Sequence, residues 1–436
     1  MILYDNFQVN SKGHLEIGGC DSVELVEKYG TPLYVLDENQ IRKNCRAYKN
    51  AVKKYLGENG GNGGDIAFAS KALSFKGIYR IIADEDLCAD IVSPGELATL
   101  KAAGFPLEKG YFHGNNKTDS DIEYGLQNNI GTFVVDNLEE IDALNRLCEK
   151  YNKTQKILLR VSPGIEVDTF KEVITGGTDS KFGIAIETGQ ALDAVGLILK
   201  NKNLDFAGIH CHLGSQILDI QPFVDAAECM LDFVAEIKNK YNHEISIVNL
   251  GGGFGVKYLP EMKEIDIDHG IKTISEYIIK KCGELNIKIP KIIFEPGRSI
   301  VANAGATLYT VGTNKKITGY KNYISIDGSM ADNPRYALYE SPYTIVAANK
   351  MNEENKIIAT IAGRCCESGD LIQEDVELPD LQRGDILAVL ITGAYNYTMA
   401  MNYNRLPRPA LVFVKDGESR IAIKRETYED LLRNEL

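Results

Sequence analysis

The chain has 436 residues and a formal net charge of −13. This acidic balance lacks the basic footprint of a non-specific nucleic-acid binder and argues against nucleic acid as a partner. The N-terminus has no basic stretch before an apolar core, and no apolar run approaches the roughly 18 residues of a membrane span, so we expect neither a signal peptide nor a membrane partner. Nine cysteines without C-x-x-C spacing argue against a disulfide framework and favour a cytoplasmic location.

Short apolar runs, each followed by a segment with helical spacing, dominate the first two thirds of the chain. The eight runs are Ile66–Phe68, Ala89–Val92, Tyr111–His113, Thr132–Val135, Ile157–Val161, Phe206–His210, Ile245–Leu250 and Lys291–Phe294. Strands that alternate with helices predict parallel βα units, and eight units predict a closed (β/α)8 barrel of TIM type over residues 31–304. The glycine-rich residues 57–65 precede the first strand, so we interpret them as a connector and not as a phosphate loop.

The pattern changes after residue 305, where strands follow one another with little helix between them. The predicted strands are Ala306–Val311, Tyr323–Asp327, Tyr343–Ala348, Ile357–Ala362 and Ile386–Ile391. This pattern is typical of an antiparallel β-sandwich or barrel. We therefore expect a second, β domain of residues 305–436, together with residues 1–30, whose Phe7–Gly18 also alternate like a strand.

Polar residues follow the predicted barrel strands. They are Lys71, Asp90, Ser93, His113, Arg160, His210, His212, the glycines 251–253 and Glu295. Active sites of such barrels lie at the carboxyl ends of the strands, so these side chains predict a site at one mouth. An isolated lysine after a strand is usually a surface residue. At a barrel mouth, however, desolvation would lower its pKa, and the neutral amine of Lys71 could attack an aldehyde.

The loops after the seventh and eighth strands predict an anion site. Gly251, Gly252 and Gly253 let backbone N–H groups approach a phosphate, although a run of this kind can also be a plain tight turn. The next strand ends in Glu295-Pro296-Gly297-Arg298, in which Gly297 and Arg298 could complete a phosphate cradle. Glu295 is suited to keep a pyridine nitrogen protonated, which makes the ring a stronger electron sink.

His210 and His212 share one face of a strand and could both bind zinc. No third ligand has suggestive spacing, so we expect no metal. A single imidazole packed over a flat cofactor ring is the better interpretation, and Ser215 could add a hydroxyl to the phosphate.

The second domain carries three further clusters. Cys366 lies in Arg364–Asp370, a segment dense in reactive side chains, and cysteine can donate a proton in general acid catalysis. Arg335 and Tyr339 are four residues apart, and Tyr395 follows an apolar strand. Each of these features alone is more often structural.

Seven motifs together resemble a known family. They are FASKA around Lys71, DSKFGI at 179–184, HCHLGSQI at 210–217, NLGGGFG at 249–255, EPGRSIVANAG at 295–305, CESGD at 366–370 and GAY at 393–395. In order and spacing they resemble the diaminopimelate decarboxylases, within the alanine-racemase-like and ornithine-decarboxylase-like group of pyridoxal-phosphate enzymes. The resemblance runs from about Thr31 to Pro409.

The resemblance implies a role for each motif residue. Around pyridoxal 5'-phosphate it places Lys71, His212, Ser215, Gly252, Gly253, Glu295, Pro296, Gly297, Arg298 and Tyr395. Among these, Lys71 is implied to form the Schiff base, His212 to stack on the ring and Glu295 to pair with its nitrogen. Around the substrate it places Arg298, Arg335, Tyr339, Glu367 and Tyr395, with Cys366 as the acid that reprotonates the substrate carbon.

The resemblance further implies a homodimer, in which Cys366 and Glu367 reach the barrel of the partner. The implied reaction is the decarboxylation of meso-2,6-diaminopimelate to L-lysine in lysine biosynthesis. Three alternatives stay open: a decarboxylase of D-ornithine, D-lysine or a similar diamino acid, an amino-acid racemase, and a non-catalytic carrier of the cofactor. A racemase of this fold tends to place an arginine at the pyridine nitrogen, so Glu295 speaks against it. The second domain with its Cys-Glu pair speaks against a carrier.

Overall fold

The computed structural model describes residues 4–57, 63–165, 177 and 180–436. Parts of the predicted connector at 57–65 and of the DSKFGI motif at 179–184 thus lie outside the described residues. Contacts divide the chain into two compact units. The barrel unit comprises Asn44–Gly255 and Glu264–Gly297, and the β unit comprises Met1–Lys43, Val256–Lys263 and Arg298–Leu436.

Eight parallel strands form the barrel unit, and all eight were predicted from the sequence. They are Gly64–Ala69, Cys88–Ile91, Gly110–Phe112, Thr132–Val135, Gln155–Ser162, Leu204–His210, Ile247–Asn249 and Lys291–Phe294. Their hydrogen-bonded order follows the chain, and pairing of the eighth strand with the first (Phe294 with Ile66) closes the barrel. Most of their residues are buried, which explains why these strands read as continuous apolar runs. The predicted (β/α)8 barrel is confirmed.

Helices follow most of the barrel strands. Those of the barrel are Lys76–Asp84, Pro94–Ala102, Asp119–Gln127, Leu138–Lys150, Gln190–Ile198, Gln221–Tyr241 and Ile267–Glu284, and Glu38–Val52 precedes the first strand. Several begin at a side-chain cap. Ser93, expected at the mouth, accepts the Glu96 amide at 3.2 Å and so starts a helix. Asn137 does the same for the Glu140 amide at 2.9 Å.

A nine-stranded sheet is the centre of the β unit. Seven of its strands lie side by side in the order Leu371–Leu378, Ile357–Ala362, Asn322–Ile326, Gly305–Lys316, Leu33–Asp37, Ala410–Lys415 and Glu418–Ile423. Two more, Ile386–Leu390 and Ile345–Ala347, pair with each other, and Ile386–Leu390 also pairs with Gly305–Lys316. The unit also contains the helices Ser22–Tyr29, Arg298–Val301, Arg335–Tyr339 and Tyr428–Leu432.

The β unit differs from the sequence expectation in three details. Two of its pairs are parallel, Leu33–Asp37 with Ala410–Lys415 and Asn322–Ile326 with Ile357–Ala362, because long segments separate these strands in the chain. Leu33–Asp37 pairs in this sheet, although it lies within the span 31–304 expected for the barrel. Residues 7–18 form no single strand, because they turn back into a small antiparallel sheet with Cys20–Asp21. That sheet meets the large one where the Leu15 amide donates to the Ala348 carbonyl at 2.7 Å.

Two composition-based expectations concern the whole chain. All nine cysteines are among the described residues, and each is a free thiol. In the described ranges, no helix combines the length and the apolar character needed to cross a bilayer.

Candidate active site

Glu295 is the centre of a buried polar cluster at the carboxyl ends of the barrel strands. Its carboxylate accepts a hydrogen bond from the Asn249 side-chain amide at 2.7 Å and lies 3.0 Å from His210 Nε2. His113 Nε2 also lies 3.0 Å from the carboxylate, and the two imidazole rings meet edge to face at 4.7 Å. The third, sixth, seventh and eighth strands thus each contribute one side chain to a single cluster.

The protein environment keeps Glu295 ionised. Burial alone would raise its pKa, but the adjoining His113 and His210 hold that pKa well below its ordinary value. Burial lowers the pKa of His210 to about 4, although Glu295 opposes this effect. His210 is therefore neutral at pH 7. Its Nδ1 is buried without a hydrogen-bond partner among the described residues, which favours the tautomer whose Nε2–H donates to Glu295.

A second buried carboxylate lies beside this cluster. Asp90 ends the second strand, and its carboxylate lies 3.6 Å from His113 Nε2. Burial raises the pKa of Asp90 to about 6, against the opposing charge of His113. Asp90 is thus the more easily protonated of the two acids, since the pKa of Glu295 is lowered and that of Asp90 is raised.

The loops after the sixth and seventh strands bind each other and fix the ring of His212. The Ile217 amide donates to the Gly253 carbonyl, and the Gly255 amide donates to the Ile217 carbonyl, both at 2.9 Å. The Gly252 amide donates to His212 Nδ1 at 3.2 Å, so this glycine orients the imidazole and does not offer its N–H to a phosphate. Only glycine fits at position 252, because a Cβ there would lie 2.0 Å from the Glu295 carbonyl oxygen.

Lys71 lies in a short 3-10 turn, Ser70–Ala72, directly after the first strand. Ser70 and Ala72 are buried, but Lys71 itself is exposed. The prediction that its amine is desolvated is therefore wrong for the single chain. Burial and then the charge of Lys71 lower the pKa of His212 well below its ordinary value. The amine therefore lies within electrostatic reach of that imidazole.

The barrel cluster fits a pyridoxal group. A carboxylate offers about four acceptor positions. His113, His210 and Asn249 use three of them at Glu295, so one position can accept a pyridinium N–H. The amides of Gly253 and Gly297 donate to no acceptor among the described residues, and Gly297 is buried. Unsatisfied donors in such loops are suited to phosphate oxygens.

The same cluster contains the one group of possible metal ligands found among the described residues. Donor atoms of His113, His210 and Glu295 all lie within 4.8 Å of one another. Of the pair considered from the sequence, His210 belongs to this group and His212 does not; His212 Nδ1 accepts the Gly252 amide instead. A carboxylate between two imidazoles can also bind a protonated ring nitrogen. The fit to a pyridoxal group favours this second role for Glu295.

The β unit has a buried site of the opposite charge. Arg298 Nη1 and Arg335 Nη1 both donate to the phenol oxygen of Tyr258, at 2.7 and 3.2 Å. Arg335 also donates to the hydroxyls of Tyr343 and Ser341, each at 3.2 Å. In the described part of the chain, Arg335 forms no ion pair with a carboxylate, although it is only 4% exposed. Two buried guanidinium groups that share a neutral acceptor are suited to bind an anion.

Tyr395 extends this cationic cluster. The guanidinium carbon of Arg298 lies 4.8 Å from the centre of the Tyr395 ring. Tyr395 has a positive φ of 60°, in a turn that begins with Gly393, where a Cβ would lie 1.8 Å from the Val301 carbonyl. Arg335 and Tyr339 are the first and last residues of one five-residue helix, and Tyr339 is half-buried.

The loop that carries Cys366 is built around the buried carboxylate of Asp370. This group accepts the amides of Met330 at 2.6 Å and Cys365 at 2.7 Å. Cys366 and Glu367 are exposed, and the Cys366 amide donates to the side-chain oxygen of Asn404 at 2.6 Å. Burial raises the pKa of the half-buried Cys365 thiol. Of the two adjacent cysteines, Cys366 is therefore the more accessible thiol.

Three residues of these clusters escaped the sequence analysis. Asn249 ends the seventh strand immediately before the glycine run. The rule that active sites lie at the carboxyl ends of barrel strands, here called the strand-end rule, could therefore have found it. Tyr258 and Tyr343 had no such signal. Tyr258 lies in an irregular loop, and Tyr343 precedes a strand as one apolar residue among others.

Comparison with known proteins assigns this arrangement to a family. Residues 38–302 match the model of the pyridoxal-dependent decarboxylase family, pyridoxal binding domain. The diaminopimelate decarboxylase of Bacillus subtilis is 43% identical over 436 residues, which cover 100% of this chain and 98% of that protein. The diaminopimelate decarboxylase of Staphylococcus aureus is 43% identical, with 98% of both chains covered.

A solved structure agrees with these relatives. The diaminopimelate decarboxylase of M. jannaschii, crystallised with L-lysine, has a TM-score of 0.91 and 35% identity, with 99% of this chain and 98% of that chain covered. The chain is thus similar to these proteins in sequence and fold along its whole length. The matched region includes the barrel strands, the glycine loops and the buried carboxylate. The chain belongs to the pyridoxal-dependent decarboxylases and, within them, to the diaminopimelate decarboxylase family.

Proposed function

We propose that this chain decarboxylates meso-2,6-diaminopimelate to L-lysine and CO2, the last step of lysine biosynthesis. The observation that carries the proposal is the buried Glu295 carboxylate, in contact with His113, His210 and Asn249 at the mouth of the barrel, in a chain similar along its whole length to diaminopimelate decarboxylases. The cofactor is pyridoxal 5'-phosphate. When bound, it withdraws the electrons of the broken carbon–carbon bond into its protonated ring.

Residues of the barrel unit hold the cofactor. Lys71 is the point of covalent attachment, and its exposure leaves the amine accessible to the aldehyde. Glu295 keeps the ring nitrogen protonated, and His212, oriented by the Gly252 amide, packs against the ring. The phosphate is bound by the amides of Gly253 and Gly297, with the hydroxyl of Ser215.

Residues of the β unit recognise the substrate. The far end of diaminopimelate carries a carboxylate beside an ammonium group. The far end of ornithine carries an ammonium group alone. The guanidinium forks of Arg298 and Arg335 are suited to that carboxylate, and Glu367 is suited to the ammonium. The Tyr395 ring lies against Arg298, and Tyr339 shares a helix with Arg335. Cys366, the exposed thiol, returns a proton to the carbon that has lost CO2.

Replacement of Arg335 by alanine tests the recognition of the distal carboxylate. We expect kcat/KM for diaminopimelate to fall about 100-fold, because the distal carboxylate loses a charge-assisted, two-point contact. D-lysine has a scissile carboxylate but no distal one, so its slow turnover should change little. Steady-state kinetics on both substrates, with Arg335→Lys as the variant that keeps the charge and loses the fork, measure the difference. An equal loss for both substrates would contradict this role.

One assay tests the proposed function itself. Purified protein with pyridoxal phosphate should release labelled CO2 and L-lysine from carboxyl-labelled meso-diaminopimelate. A racemase would change the stereochemistry without release of CO2, and a cofactor carrier would do neither. Preferred turnover of D-ornithine or D-lysine would overturn the substrate assignment.

We also infer a homodimer located in the cytoplasm. The exposed Cys366 and Glu367 lie in a loop hydrogen-bonded to Asn404, beside the partly exposed Met401 and Tyr403. Accessible apolar side chains next to a proposed catalytic thiol favour an interface between two copies, in which this loop completes the site of the other copy. Nine free thiols suit a reducing compartment.

Mixing of two inactive variants tests the shared site. Lys71→Ala and Cys366→Ala damage different parts of the site, so a mixed dimer should contain one intact site and one doubly damaged site. After exchange of subunits we expect about a quarter of the wild-type activity, because half of the randomly formed dimers are mixed. If each site is built from one chain alone, the mixture will stay as inactive as its components.

A further inference from the structure

Tyr258 connects the two buried arginines of the β unit. Its phenol oxygen accepts hydrogen bonds from Arg298 Nη1 at 2.7 Å and from Arg335 Nη1 at 3.2 Å. A phenol oxygen has two acceptor positions, and here both are occupied by guanidinium N–H groups. The single oxygen atom therefore sets the separation of two like charges that would otherwise repel each other.

The position of Tyr258 is itself fixed from several sides. Its carbonyl accepts the Thr344 hydroxyl at 2.8 Å, and its ring meets the Tyr343 ring edge to face at 5.6 Å. The amide of the preceding residue, Lys257, donates a hydrogen bond to the Tyr4 hydroxyl at 3.0 Å. Tyr258 is only 3% exposed. Its hydroxyl is thus a rigid reference point for both arginines.

Electrostatics agree with this geometry. Burial alone would raise the pKa of the Tyr258 phenol, but Arg298 and then Arg335 lower it below its ordinary value. A phenol that keeps its proton in this position separates the arginines without cancelling either charge. A carboxylate in place of this phenol would pair with the arginines and remove their attraction for an anion.

From these contacts we propose that Tyr258 is a specificity-determining positioning residue. It holds Arg298 and Arg335 in the arrangement that binds the distal carboxylate of the substrate, and its hydroxyl hydrogen, which neither arginine uses, can donate to the same anion. The inference rests on the proposed function, because it concerns the amino-acid end of diaminopimelate that decarboxylation leaves untouched. L-lysine keeps this end complete, with its carboxylate and its ammonium group. 1,5-Diaminopentane keeps the ammonium group but has no carboxylate.

This difference between ligands makes Tyr258→Phe a sharp test. We expect the KM for diaminopimelate and the inhibition constant of L-lysine to rise together, about tenfold each, since both ligands carry the distal carboxylate. The inhibition constant of 1,5-diaminopentane should stay unchanged, and kcat should change less than about twofold. Tyr29→Phe is the matched control, because it removes another phenol of the β unit, bonded to the Ser419 carbonyl at 3.1 Å. It should leave all four constants unchanged.

A double variant shows whether Tyr258 acts through the arginines. If it does, Tyr258→Phe should add little to the effect of Arg335→Ala, because the two residues form one unit. The proposal is overturned if all three ligands weaken alike, which indicates general loosening of the fold, or if none of them weakens. Independent, additive losses would also contradict it. Failure of the proposed function has a different signature, namely that the wild-type protein forms no lysine from diaminopimelate.

Discussion

Replacement of Lys71 by alanine should reduce kcat for diaminopimelate by about 10⁴-fold or more. The variant loses both the covalent attachment of the cofactor and an amine that can move protons beside it. Folding should be unaffected, because Lys71 is exposed and its neighbours Ser70 and Ala72 provide the buried part of the turn. The measurement is the rate of CO2 release, together with the absorption spectrum of the protein after gel filtration.

Two controls make this prediction specific. Lys76→Ala removes an exposed lysine five positions away, at the first residue of the next helix, and should keep wild-type activity. Methylamine supplied to Lys71→Ala should recover part of the lost rate, because it replaces the missing amine. Retention of more than a tenth of the activity without added amine would contradict a covalent role for Lys71.

Glu295→Gln should lower kcat by about 100-fold, with a much smaller effect on KM. Glutamine keeps the size of the side chain but loses the negative charge that favours a protonated ring nitrogen. The glutamine amide would also direct an N–H donor at one of the two flanking imidazoles, whereas the Glu295 carboxylate can only accept hydrogen bonds from them. Single-turnover rates of CO2 release measure the loss at the chemical step.

A half-buried carboxylate of the barrel, Glu96, is the control. Glu96 accepts the Val92 amide at 2.7 Å, and burial raises its pKa to about 7, so a neutral glutamine is a mild change there. We expect Glu96→Gln to change kcat less than about twofold. Glu295→Asp, which keeps the charge, should be faster than Glu295→Gln. If Glu295→Gln works as well as the wild-type protein, the ring nitrogen does not depend on this carboxylate.

The barrel could be predicted from the sequence because its strands are buried on both faces. Continuous apolar runs such as Thr132–Val135 are distinct from the amphipathic helices between them, and the strand-end rule then gave the position of Lys71, His113, His210 and Glu295. Parallel pairs in the β unit were not predictable, because Leu33–Asp37 finds its partner Ala410–Lys415 across almost the whole chain.

Individual side-chain partners were harder to predict than elements. The glycine run was predicted beside a polar site, but no motif predicts that the Gly252 amide donates to His212. The exposure of Lys71 was also missed, because desolvation depends on neighbours that are far away in the chain. Tyr258 escaped for the same reason. Its two arginine partners follow it by 40 and 77 positions.

Covalent attachment of pyridoxal phosphate to Lys71 is the claim on which the other roles depend. Reduction of the cofactor-loaded protein with borohydride, followed by proteolysis and mass spectrometry, measures it directly. The account predicts a single peptide, containing Ser70-Lys71-Ala72, that carries a phosphopyridoxyl group on the lysine. A label on another lysine, or an unlabelled Lys71 in protein that has bound the cofactor, would contradict it.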